Sequence, residues 1–245
     1  MHQTISPSIF YWGTVVALIT TENGNGTFNI CPMSSAWWLG NRCMLGLGIG
    51  SQTMVNLRRT KQCVINLPSD DINDAVNALA RTTGAADITT VEPDAGYLYF
   101  KRMNGYTYVA DKFSHANLMA QASELVRPAR IAECPAQMEA ELVGVYDMCR
   151  DSDAKGSMAL EVKVVHTHVD DSIRMEGHNN VIDPDLWRPM IMSFQELYGL
   201  NPGKVAPSVL AQIEEEKYRA FSNPKEDDDT EEMANRTTQS EQIRN

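Results

Sequence analysis

Residues 23–26 read Asn-Gly-Asn-Gly and stand between two runs rich in β-branched side chains, Thr14–Thr21 and Thr27–Cys31. Asn-Gly pairs accept the positive backbone angles of a tight hairpin turn, so this stretch commits the chain to antiparallel pairing near its start. The pattern returns further on. Two alternating segments, Met138–Met148 and Met158–Val169, are joined by the turn-like Arg-Asp-Ser-Asp-Ala-Lys-Gly and are expected to be antiparallel neighbours. Cys43–Ile49 and Val64–Leu67 add shorter strands. Helices are predicted after Ser51, which is placed to cap one, over Asp71–Arg81, over Ala116–Val126 and over Pro207–Phe221. In the second of these, Ile72, Ala75, Val76 and Leu79 share one face. Residues 85–114 show no clear period. Strands outnumber helices and the turns between them are short, which favours an all-β barrel with added helices over a parallel α/β sheet.

Charge excludes one class of partner. The net charge is −11, of which residues 214–245 supply −5. No broad basic face is available for nucleic acid, so any bound phosphate must be held by a local cluster. The acidic tail reads as a solvated, disordered end. Five cysteines form no C-x-x-C pair and are odd in number, which argues for reduced thiols in a cytoplasmic protein. The apolar stretch at residues 9–20 is too short to span a bilayer and reads as a buried strand; no membrane association is expected.

Several patterns could carry chemistry. Gly46-Leu-Gly-Ile-Gly-Ser51 has the wrong third position for a dinucleotide fingerprint and no β-α-β surroundings, so its glycines are read as relief from crowding in a curved strand. The helix start that follows exposes backbone N–H groups, with Ser51, Thr53, Asn56, Arg58 and Arg59 around it, a setting suited to phosphate. Asn29, Met33, Ser34, Ser35, Trp37 and Trp38 offer amide, hydroxyl and aromatic groups to a planar ligand with a polar tail, or simply a core edge, with one tryptophan packed inside and the other at a subunit contact. His166 and His168 form H-x-H, expected on the face that carries Val162 and Val164. No third ligand has a claim in the sequence, so no metal site is expected there.

Taken together, residues 17–40, 45–69 and 161–171 resemble the flavin reductase-like family, in the branch of flavoredoxins and the reductase component of nitrilotriacetate monooxygenase. The resemblance implies an FMN-binding split β-barrel with peripheral helices over residues 1–203; the C-terminal helix over 204–222 and the acidic tail over 223–245 are read from the residues alone, since the family's shorter members give no guide to them. The resemblance also implies FMN as cofactor, held near the interface of a homodimer. Asn29, Met33, Ser34, Ser35 and Trp37 match positions flanking the flavin ring and ribityl chain. Ser51, Thr53 and Asn56 match the phosphate loop, with Arg58 added to them. Lys112 resembles a lysine near the flavin, and His168 a catalytic histidine reaching the ring or the nicotinamide. Phe194, with Trp187 and Tyr198, is a candidate wall on the flavin's substrate side, or a part of the dimer contact alone. The implied activity is an NAD(P)H-dependent flavin reductase serving an acceptor or a partner monooxygenase. One departure opens alternatives. The family's Gly-Asp-His motif is replaced by Gly156-Ser157-Met158, which leaves room for an FMN enzyme acting directly on an organic substrate, or for a flavoredoxin-like electron carrier.

Overall fold

The hairpin at residues 23–26 forms as its sequence demands. Asn23 N–H donates to Thr27 O at 2.8 Å, and Gly26, at φ +82°, donates back to Asn23 O at 3.1 Å. In this computed structural model, residues 1–151, 156–201, 203–208, 215 and 217 are described. Residues 1–38 and 42–203 make up one compact unit, and residues 39–41 fall with the described residues after 203 in another. The helix expected over 207–221 and the tail after it lie almost wholly outside the described residues.

The protein is mainly β. A 7-stranded sheet runs in the order Phe28–Met33, Ala17–Glu22, Gln62–Leu67, Ala136–Asp147, Ser157–Val169, Arg42–Gly48, Ala36–Leu39. Its two edge strands are neighbours in sequence, separated only by Ser34 and Ser35, so the sheet curls until its ends meet. Among the described residues no ladder joins these two edges; Gly46 N–H donates to Ser35 O at 2.8 Å, which extends the pairing of Arg42–Gly48 with the start of the last strand. Ala136–Asp147 and Ser157–Val169 pair antiparallel along nearly their whole length, as their alternation predicts. Inside the curl, Ile19, Leu45, Leu57, Ile65, Leu160 and Val162 are fully buried. A second apolar cluster, including Leu18, Ile30, Val76, Leu79 and Ile131, fills the opposite face. Strand alternation divides Leu18 from Ile19 in this way.

Two expectations need correction, and one stretch without an assignment gains one. Residues 116–126 are not a helix: Lys112–His115 forms one turn, and Ala120–Gln121 then pairs with Arg130–Ile131. Residues 85–114, without a period in sequence, contain the helix Tyr97–Met103. The predicted strand at 14–21 divides at Val16 into Trp12–Val15, which joins a separate sheet, and Ala17–Glu22. In that separate sheet Trp12–Val15 pairs with Ile191–Ser193, which turns back as Glu196–Tyr198.

Candidate functional site

Ser51 begins the site. Its side chain accepts a hydrogen bond from Met54 N–H at 3.2 Å and caps the helix Gln52–Thr60, whose first turn faces a cavity of about 540 Å³. The glycines before it keep that space open. A Cβ on Gly48 would stand 2.8 Å from the Tyr97 ring, and one on Gly46 3.0 Å from Ser35 Cβ. Gly84 does the same on the other side, where a Cβ would meet Asn29 Oδ1 at 2.8 Å. Asn29 Nδ2 donates to Thr53 Oγ1 at 3.0 Å, while its Oδ1 is buried without a partner. An unpaired buried acceptor costs about 1–3 kcal/mol.

The charge lining this cavity is opposite in sign to that of the molecule. Arg81, Lys101 and Lys112 line it, and among the described residues no carboxylate does. Lys101 and Lys112 are buried, and neither belongs to an ion pair among the described residues. Lys112 Nζ donates to Ile30 O at 2.8 Å. Burial pulls the Lys112 ammonium down to about 8, against an opposing attraction to Cys31 and with a smaller added repulsion from Lys101. Burial also lowers Lys101, whose Nζ rests 5.0 Å from the Tyr97 ring centroid and 5.4 Å from that of Tyr106. Burial raises the Tyr97 hydroxyl to about 12, with Tyr106 adding to the shift, so it stays a neutral donor. Apolar walls come from Met33, Leu47, Val76, Leu79 and Met192.

Of the residues singled out in the sequence, Asn29, Met33, Ser34, Ser35, Ser51, Thr53 and Lys112 are brought together here. Five are placed elsewhere. Asn56 turns toward the hairpin, donating to Thr21 Oγ1 at 3.0 Å and Asn23 Oδ1 at 2.8 Å. Arg58 is exposed in the last turn of the helix. Trp37 projects outward, 59 % exposed, while Trp38 packs on the core, as adjacent residues of one strand must. Phe194 stands edge-on to Trp12 with ring centroids 4.5 Å apart. His168 Nε2 hydrogen-bonds Glu139 Oε1 at 2.7 Å, outside the cavity.

The histidine pair departs from expectation for a definable reason. Val164 pairs with Ala140 but His166 pairs with Glu139, so Val165 is an extra residue, a β-bulge. The bulge reverses the alternation. His166 and His168 therefore share a face with Glu139 and Gln137, opposite the face of Val162 and Val164. Missed altogether were Arg81, Lys101 and Tyr97. The last two lie in the stretch without periodicity, and the only available signal was the basic and aromatic content of Tyr-Leu-Tyr-Phe-Lys-Arg at 97–102.

A curled antiparallel sheet with a cationic, partly aromatic cavity beside its open seam defines a split-barrel protein whose cavity has the charge to suit an anionic ligand. The flavin reductase like domain matches residues 11–191, and the chain belongs to that family of flavin-linked oxidoreductases. It is similar to the uncharacterized protein YdfE of Bacillus subtilis, 38% identical over 198 residues covering 80% of this chain and 88% of that one. Among solved structures it resembles flavoredoxin of Desulfovibrio vulgaris (TM-score 0.66, 15% identity, 86% of this chain and 99% of that one). It also resembles nitrilotriacetate monooxygenase component B of Bacillus cereus (TM-score 0.63, 16% identity, 84% and 99%). At such identities these two likenesses speak to the fold.

Proposed function

We propose that the protein is an FMN-binding oxidoreductase, an NAD(P)H-dependent flavin reductase that passes electrons to an acceptor or a partner monooxygenase. The observation that carries this reading is the cavity's charge: three cationic side chains without a carboxylate, in a chain of net charge −11. Two buried ammonium groups without counter-ions are costly, and an anionic ligand in the same cavity offsets that cost. The residues present suit the cofactor. Ser51, Thr53 and the first turn of the helix would take the phosphate with Arg81, Asn29 Oδ1 would accept from a ribityl hydroxyl, and Met33, Leu47 and Leu79 would flank the ring. Bound flavin supplies the two-electron chemistry, and the protein supplies orientation and charge.

The test is titration of flavin-free protein with FMN, FAD and riboflavin. FMN is expected to bind at least about tenfold more tightly than riboflavin, the worth of one charge-assisted hydrogen bond. Arg81→Ala should remove most of that difference while leaving riboflavin unaffected. Equal affinity for FMN and riboflavin would place the phosphate outside this cluster and sink the reading.

A second reading rests on Gly156-Ser157-Met158, where flavin reductases of the family carry Gly-Asp-His. Ser157 is spent on starting a ladder strand opposite Gly48. An FMN enzyme acting directly on an organic substrate fits this departure. Steady-state NAD(P)H oxidation with and without added free FMN separates the two, since only the reductase turns over with free flavin as acceptor.

A further inference from the structure

On the face of the sheet opposite Val162 and Val164, Glu139 is fully buried, and its carboxylate has no acceptor capacity left unused. Oε1 accepts from Glu124 N–H at 2.8 Å and faces His168 Nε2 at 2.7 Å. Oε2 accepts from Leu125 N–H at 2.6 Å and Val126 N–H at 3.0 Å. An acceptor-only carboxylate requires the proton on His168 Nε2, which leaves Nδ1 as a lone pair in the neutral ring. His168 Nδ1 stands 3.9 Å from Glu124 Oε1, and His166 Nε2 stands 3.4 Å from Glu124 Oε2. The two imidazoles meet edge to face with centroids 4.6 Å apart. One ligand atom from each of the three residues lies within 4.8 Å of the others.

We propose that Glu124, His166 and His168 form a binding site for a divalent first-row transition ion of the zinc type, with its fourth position open to solvent. Bond lengths of about 2.0–2.2 Å to nitrogen and oxygen put tetrahedral ligands roughly 3.3 Å apart, so the three groups need to close by an ångström or so. The two that must move are free to do so: the side chains of Glu124 and His166 are 61% and 40% exposed. The third is held. A carboxylate on the far nitrogen of a ligating histidine fixes its tautomer and raises its basicity, and Glu139 occupies that place. All three ligands depend on Glu139: His168 directly, Glu124 through its backbone N–H, and His166 through cross-strand pairing. Bound metal would pin the 122–126 loop across the two long strands. None of the three lines the flavin cavity, so this site stands or falls independently of the proposed function.

The experiment is calorimetric titration of zinc chloride into the full chain, freed of metal by a chelator and carrying whatever flavin it retains. One zinc per chain is expected, with a rise in Tm and an unchanged flavin spectrum. His166→Ala and Glu124→Ala, both at solvent-facing side chains, should abolish binding, while the surface variant His178→Ala should bind as wild type. Glu139→Gln should weaken binding by about 10–100-fold if it folds. Cobalt(II) should give the intense visible bands of a four-coordinate site in the difference spectrum of wild type and not of His166→Ala. Absence of zinc binding to the wild type, or binding that survives in both His166→Ala and Glu124→Ala, overturns the site.

Discussion

The Lys112 ammonium is 3% exposed, lies near a second buried lysine and has been pulled down from 10.5 to about 8 by burial. A depressed lysine binds fewer protons folded than unfolded, so its cost is fully present below pH 8 and is relieved as pH rises toward 10.5. At neutral pH that cost is about 3 kcal/mol. Flavin-free wild type should therefore gain stability between pH 8 and 10.5, a gain absent from Lys112→Met, measured as Tm against pH. Identical profiles would mean that the ammonium is not penalised by its site. Added FMN should flatten the wild-type profile by holding the lysine charged. Lys112 was legible in the sequence through family resemblance, but its counterpart Lys101 was not. A lysine's burial depends on what folds over it, and here Tyr97 and Tyr106 do so. His168 shows the reverse case. Its place on a strand was legible, yet the bulge at Val165 turned it toward Glu139, so the catalytic role implied by resemblance has no support in its surroundings.

Among elements, those with strong local chemistry were readable. The Asn-Gly hairpin, the Ser51 cap and the two long alternating strands each announce themselves within a few residues. The hairpin at 191–198 does not, because its turn is made by Phe194 and Gln195 at φ +46° and +73°, where Asn-Gly would be expected. A bulky residue in that region carries strain of about 1–3 kcal/mol, which the edge-on contact with Trp12 offsets by about 0.5–1.5 kcal/mol. Phe194→Ala keeps the strain and loses the contact, so stability should fall by about 1 kcal/mol. Phe194→Asn relieves the strain while losing the contact and should stay within a few tenths of wild type. Thermal melts of both variants decide the matter; equal losses would show that the backbone angle is not strained. The Tyr97–Met103 helix was unreadable for another reason. It has no capping side chain and follows Gly96 at φ +58°, so its stability comes from packing against the cavity's glycine-lined wall.

At the scale of the whole molecule the question is what covers the end of the sheet beside the cavity. Gly48 lines the cavity, and Ile49 immediately after it is 46% exposed. Ile49 N–H bonds Gly156 O and Met148 N–H bonds Ser157 O, so three strands end or begin together at this point. Tyr146 and Met148 are exposed there too, 47% and 48%. Large apolar side chains gathered at one end of a sheet favour association, and a second copy related by a twofold axis is the simplest partner. We therefore expect a homodimer in solution. Ile49→Glu combined with Met148→Glu would place four carboxylates in such an interface and should yield a monomer by light scattering, with the fold intact by circular dichroism. Because the substituted edge adjoins the cavity wall at Gly48, the monomer should also bind FMN more weakly, by about tenfold or more if the partner helps enclose the ring. A monomer that keeps wild-type FMN affinity would show the cavity to be complete within one chain. A dimer that survives both glutamates would locate the interface elsewhere, with the outward-facing Trp37 the next residue to test.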